Sequence, residues 1–389
     1  MEKFIFQNST KIIFGKGLVE KSLGSEVRKF SDSVLLVYGG RSCKLNGSYK
    51  DVTSSLIEHS VHFEELQGVE ANPHISTVRK GVAICKDKGL KAIVALGGGS
   101  VIDCAKIIAA GALSNTDPWE FVSHKEPIES ALPLITVLTL AATGSEMNSG
   151  AVITNEETGE KYGVGGDSLL PKVSFENPEY TFSVSKYQTA CGAFDILSHI
   201  MEQYFGDVKG SYVQDRMAEG LMETVIHFAP ICLEKPNNYE ARSQIMWASS
   251  LALNDLLSAG HSYPWEVHPI EHPLSGFFNI THGHGLACLT PSYYRYVLNA
   301  KNAKRFKEFA TNVFHIDSSL PEMEASLKGI VALEDFIKSM GLTLHLKELG
   351  VDKDLFRKCA EQALGENKYL GEFARLSEDD IVNIYNKAY

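Results

Sequence analysis

The hydrophobic pattern of the chain changes period near residue 183, and that change restricts the fold more than any other feature. Before it, short β-branched runs alternate with helical stretches across glycines. Residues 33–37 (SVLLV), 92–96 (AIVAL), 134–140 (LITVLTL) and 151–154 read as strands, and 77–88 and 101–113 as helices. Continuous apolar strands separated by helices predict a mostly parallel sheet covered on both faces. From Lys186 onward the apolar residues recur at helical spacing over 190–205, 211–233, 239–258 and 303–313, and Ser377 with Asp380 forms a capping-box pattern before 381–389. A length of 389 residues suits two cores. The expected organisation is an α/β domain over 1–183 and an all-helical domain over 184–389, with a cleft between them as the natural ligand site.

Charge and cysteine content narrow the partners. Forty-eight acidic against 37 basic residues give a formal charge of -11, so binding to a nucleic acid or an anionic membrane works against the overall field. Seven cysteines, an odd number with no C-x-x-C pair, fit reduced thiols in the cytoplasm better than a disulfide framework. No basic and apolar leader opens the sequence, and no stretch reaches the ~20 apolar residues of a membrane span.

Three loops follow the predicted strands. The run Gly97-Gly98-Gly99-Ser100 precedes a helix and carries Asp103 shortly after. Glycines there let backbone N–H groups and a helix N-terminus approach a phosphate, although a tight turn needs the same glycines and the spacing is not G-x-G-x-x-G. The second loop runs from Thr139 through Thr143, Gly144, Ser145 and Glu146, placing hydroxyls at a strand's C-terminal end, where open α/β sheets bind ligands. The first strand ends in Gly39-Gly40-Arg41-Ser42, with Lys44 beyond. NAD sites usually place a carboxylate at such a point, and here cations and a hydroxyl stand instead, which reads either as an exposed turn with solvated basic residues or as contacts to a 2′-phosphate, the latter predicting NADP(H) over NAD(H).

The second domain carries a different chemistry. Asp195 and His199 lie four apart in a helical stretch, so carboxylate and imidazole share one face. His268, His272, His282 and His284 crowd a short segment downstream. A matched Asp/His pair beside four imidazoles points to a metal ion, but spacing alone does not select the two histidines that complete the shell.

The joint pattern of D-x3-H, H-x3-H-x9-H-G, GGGS-x-I-D and T-x3-T-G-S-E resembles the iron-activated alcohol dehydrogenase family, in its branch of NAD(P)H-dependent butanol dehydrogenases and aldehyde reductases. Matching features run from Lys11-Ile-Ile-Phe-Gly15 to the final helix. The resemblance implies a dehydroquinate-synthase-like superfold with metal ligands Asp195, His199, His268 and His282. It places His272 in the substrate and nicotinamide pocket rather than among the ligands, and leaves His284 without a role; one helical turn from a ligand, His272 is the candidate catalytic residue, either relaying a proton or only orienting its neighbours. It implies that Gly97, Gly98, Gly99 and Ser100 hold the pyrophosphate, that Thr139 and Thr143 lie along the cofactor, and that Lys161 reaches its ribose. Gly39, Gly40, Arg41, Ser42, Asp103 and Ser145 complete the expected cofactor-binding set. Two positions depart from the pattern, Ala141 for a proline and Arg41 for a glycine or serine.

Three imidazoles and a carboxylate suit Fe²⁺ and also accept Zn²⁺, Co²⁺ or Mn²⁺. The expected reaction is hydride transfer between NAD(P)H and a short-chain aldehyde or primary alcohol such as butanal or butanol, the metal acting as Lewis acid. Trp119, Phe121, Trp265, Phe277 and Phe278 are read as lining an apolar pocket for it. Relatives suggest a homodimer. The rival readings are a polyol dehydrogenase or a metal-dependent cyclase of the same superfold, and a nucleotide-binding protein without catalysis.

Overall fold

The structure, a computed structural model, describes residues 2–206, 210–261 and 265–389. Among the described residues eight strands occur in the order β1 (Lys11–Phe14), β2 (Ser33–Tyr38), β3 (His62–Gln67), β4 (Ala92–Gly97), β5 (Leu134–Leu138), β6 (Gly150–Asn155), β7 (Glu160–Gly165) and β8 (Val173–Glu176). Six form one parallel sheet ordered β1-β8-β5-β4-β2-β3, and β6 with β7 forms a separate antiparallel hairpin. The segment 151–154 is therefore a strand outside the main sheet. The expected strand 134–140 stops at Leu138, and Thr139 N already bonds Gly97 O at 3.0 Å as the chain turns away.

Alternation along each strand divides the apolar runs between two cores. Leu35, Val37, Ile93 and Ala95 face one side with Ile102, Ile107 and Ile108. Val34, Leu36, Val94 and Leu96 face the other with Val19, Leu23, Val52 and Leu56. Burial on both faces is why these strands read as unbroken apolar runs. The polar β3 (HFEELQ) gave no such signal because it is an edge strand, where charged side chains remain in water.

Two compact units emerge. One comprises Gln7–Ser185 and Lys235–Asn254; the other comprises Met1–Phe6, Lys186–Glu234 and Asp255–Tyr389. The helix Tyr239–Ala252 thus belongs with the sheet, and ends before residue 258. In the helical unit lie Lys186–Tyr204, Tyr212–Glu234, Val267–Phe278, His282–Val297 and Ala303–Phe314, and Glu378–Ala388 starts with the Ser377/Asp380 capping box. Among the described residues no helix is long and apolar enough to cross a membrane.

Candidate functional site

In the sheet unit, β2 and β3 run to one side of the sheet while β4, β5 and β8 run to the other, so the order reverses between β2 and β4. Open α/β sheets bind ligands at such a switch point, beyond the strands' C-terminal ends. The loops Gly39–Ser42, Gly97–Ser100 and Thr139–Ser145 leave the adjacent strands β2, β4 and β5 at that edge.

Packing dictates part of the glycine run. A Cβ on Gly97 would stand 2.5 Å from Val101 Cγ2, and one on Gly99 would stand 2.2 Å from Thr143 Oγ1. The second loop therefore sits directly on the first. Asp103 and Ser145, expected among the cofactor contacts, are engaged inside the protein. Ser145 Oγ donates to Asp103 Oδ1 at 2.5 Å, and Val152 N donates to Asp103 Oδ2 at 2.9 Å. Ser100 Oγ donates to Ala71 O. Lys161 Nζ, buried, donates to Asn72 Oδ1 at 3.1 Å. Arg41 and Ser42 are exposed, with Arg41 as the N-cap of the short helix Ser42–Leu45.

In the helical unit three helices build one cluster. Lys186–Tyr204 supplies Asp195 and His199, Val267–Phe278 supplies His268 and His272, and His282 opens His282–Val297. Asp195 Oδ1 lies 3.7 Å from His199 Nδ1, 3.9 Å from His268 Nε2 and 3.8 Å from His282 Nε2. These separations exceed hydrogen-bond length. They fit donor atoms that each stand about 2.1 Å from one shared ion. Ligand atoms of Asp195, His268 and His282 all lie within 4.8 Å of one another. Buried His199 Nδ1 and His268 Nε2 have no hydrogen-bond partner, an arrangement that costs free energy unless a cation takes the lone pairs. Burial, followed by the neighbouring imidazoles, pushes the His199 pKa well below its ordinary value, leaving the neutral ligand form.

Glycines bring these helices together. A Cβ on Gly283 would stand 2.1 Å from the carbonyl oxygen of Cys191, one turn before Asp195, so the helix bearing His282 meets that bearing Asp195 backbone to backbone. His284 turns elsewhere. Its Nε2 accepts from Thr343 N at 3.0 Å, so Nδ1 carries the proton and faces Tyr187 OH at 3.1 Å. His272 keeps ring centroids 6.3 Å from His268 and 5.5 Å from His282.

Two buried carboxylates escaped the sequence reading. Glu202 contacts His268 Nδ1 at 3.1 Å, and Glu271 contacts His282 Nδ1. A signal was present, since Glu202 falls three residues after His199 and Glu271 three after His268, on ligand-bearing helix faces. The expected aromatic pocket is corrected in part. Trp265 packs edge-on against His199 and His268, with centroids 6.0 and 4.8 Å apart. Phe121 instead lies in the core of the sheet unit, with Trp119 packed against it, because the helix Pro118–Val122 turns its apolar side inward. Phe277 lies under Lys358 Nζ at 4.6 Å.

Comparison with known proteins agrees with both halves. The profile described as iron-containing alcohol dehydrogenase matches residues 9–178, and that described as Fe-containing alcohol dehydrogenase family, C-terminal, matches residues 189–389. NADH-dependent butanol dehydrogenase A of Clostridium acetobutylicum is 44% identical over 100% of both chains. The NADPH-dependent aldehyde reductase YqhD of Escherichia coli is 33% identical, again over 100% of both. The crystal structure of NADH-dependent butanol dehydrogenase A from Thermotoga maritima superposes with a TM-score of 0.95 at 39% identity, covering 100% of this chain and 99% of the other. With profiles matching both halves and relatives this similar over the full length, the chain belongs to the iron-containing alcohol dehydrogenase family.

Proposed function

We propose that this NAD(P)-dependent oxidoreductase interconverts short-chain aldehydes and primary alcohols of the butanal and butanol class. One divalent ion, Fe²⁺ in the first instance with Zn²⁺ as alternative, is held by Asp195, His199, His268 and His282. The observation that carries the reading is the convergence of three imidazole nitrogens on Asp195 Oδ1 at 3.7–3.9 Å. When bound, such an ion supplies a Lewis acid for the alcohol or aldehyde oxygen. The protein supplies the rest. Gly97–Ser100 and Thr139–Thr143 hold the dinucleotide along the sheet edge. His272, one turn from His268, moves the proton between substrate oxygen and water, work that suits an imidazole.

The finer cofactor choice rests on Arg41, whose exposed guanidinium can grip a 2′-phosphate, and we read it as favouring NADP(H). The relatives divide on this point, 44% identical ones being named for NADH and one at 33% for NADPH. The chain acts as a homodimer in the cytoplasm on this reading, supported by exposed Phe4 and Ile5 and by seven buried cysteines that form no disulfide.

Steady-state kinetics test the reading. The parent turns over butanal with NADPH in preference to NADH, and outpaces its own turnover of glycerol with NAD. Arg41→Ala lowers the NADPH-to-NADH ratio of kcat/KM by about tenfold, the loss of one charge-assisted contact. His272→Asn removes a limb from the pH profile of kcat. Glycerol as the better substrate points to the polyol reading, and unchanged ratio or profile removes the role given to Arg41 or His272.

A further inference from the structure

We propose that Glu202 and Glu271 are positioning residues of the metal centre, each fixing one imidazole in the tautomer and orientation that turns its Nε2 toward Asp195. The inference rests on the reading of Asp195, His199, His268 and His282 as metal ligands.

Glu202 stands three residues after His199 and seven after Asp195, on the same helix. Its Oε1 accepts from Val267 N at 2.7 Å, His268 N at 2.9 Å and His268 Nδ1 at 3.1 Å, and its Oε2 accepts from Glu266 N at 2.9 Å. A helix leaves its first N–H groups without partners. In Val267–Phe278 the residue after His268 is Pro269, which has no N–H to satisfy. One carboxylate thus completes the start of this helix and grips the imidazole of its second residue. Since a carboxylate oxygen only accepts, Nδ1 of His268 carries the hydrogen and Nε2 keeps the lone pair.

Glu271 repeats the arrangement from the other side. Fully buried, it contacts His282 Nδ1 with Oε2 and accepts from Ser275 Oγ with Oε1. A Cβ on Gly285 would stand 2.4 Å from Glu271 Oε1, so the second glycine of His282-Gly283-His284-Gly285 makes room for this carboxylate. Two ligands on two helices are each backed by a buried acid. Such partners fix ring orientation and raise imidazole basicity, and their loss typically weakens metal binding by about 10–100-fold.

Glutamine separates this role from simple packing, because its amide oxygen still accepts from Nδ1–H while the charge is gone. In Glu271→Gln the new amide can also donate to Ser275 Oγ, so the fold is retained. Glu202→Gln loses one acceptor for the helix start and is the riskier variant. Competition against a chelator with Co²⁺ or Zn²⁺, together with the visible spectrum of the Co²⁺ form, measures the effect, with Asp195→Ala alongside. The expected result is binding weakened about 10–100-fold in each glutamine variant that folds, with a shifted Co²⁺ spectrum. Parent-like affinity and spectrum in Glu271→Gln, while Asp195→Ala loses the metal, overturn the proposal and leave the ligand set standing. Parent-like affinity in Asp195→Ala overturns the ligand set itself, and the proposal with it.

Discussion

Glu176, the last residue of β8, shows what a single buried group does to stability. Ser250 Oγ donates to Glu146 Oε1 at 2.6 Å and lies 3.1 Å from Glu176 Oε1. A hydroxyl has one proton, so the second contact is satisfied when Glu176 is itself protonated and donates to Ser250. Burial, followed by the charge of Glu146, raises the Glu176 pKa well above its ordinary value. The folded chain therefore holds a proton that the unfolded chain releases near its ordinary value of about 4.3. Stability from this group is complete below that pH and is lost as pH rises through the folded value. Glu176→Gln, neutral at every pH, flattens the fall in Tm between about pH 5 and pH 8 and gains about 2–4 °C at the upper end. A parallel fall in both proteins contradicts the assignment. Sequence alone told little at this scale. By spacing His268, His272, His282 and His284 looked alike, and where the family resemblance only left His284 without a role, Thr343 N and Tyr187, partners far away in the chain, show what holds it.

Elements were legible where burial imposed a pattern. The strands buried on both faces and the amphipathic helices followed from period alone, whereas β3 did not, because an edge strand keeps polar residues. The glycine loops were visible as loops, but their close approaches were not. Gly283 is the sharpest case. With a Cβ placed 2.1 Å from the Cys191 carbonyl, Gly283→Ala must push apart the helices that carry His282 and Asp195. Overpacking of this kind costs about 1–3 kcal/mol. The variant is expected to melt several degrees lower and to retain less metal than the parent, by calorimetry and metal analysis. Full metal content at an unchanged Tm would mean that the two helices yield freely.

For the molecule as a whole, the two-part grammar of the sequence foretold a sheet unit and a helical unit. It did not foretell that residues 235–254 return to the sheet unit. The helical period of Tyr239–Ala252 is the same whichever unit it packs on, and its packing reveals the choice, with Met246 in the core of the sheet unit, Trp247 edge-on to Phe14 and Ser250 buried beside Glu146 and Glu176. Both units match the family, and on the proposed function the chemistry requires a loaded metal centre in one and a dinucleotide on the other. The central claim is that the metal sits on Asp195, His199, His268 and His282. The direct measurement is metal content and butanal reduction for protein purified without chelator, in the parent, Asp195→Ala and His268→Ala. The parent should carry one divalent ion per chain and be active, and both variants should lose ion and activity together. Stoichiometric metal and full activity in either variant would contradict the account.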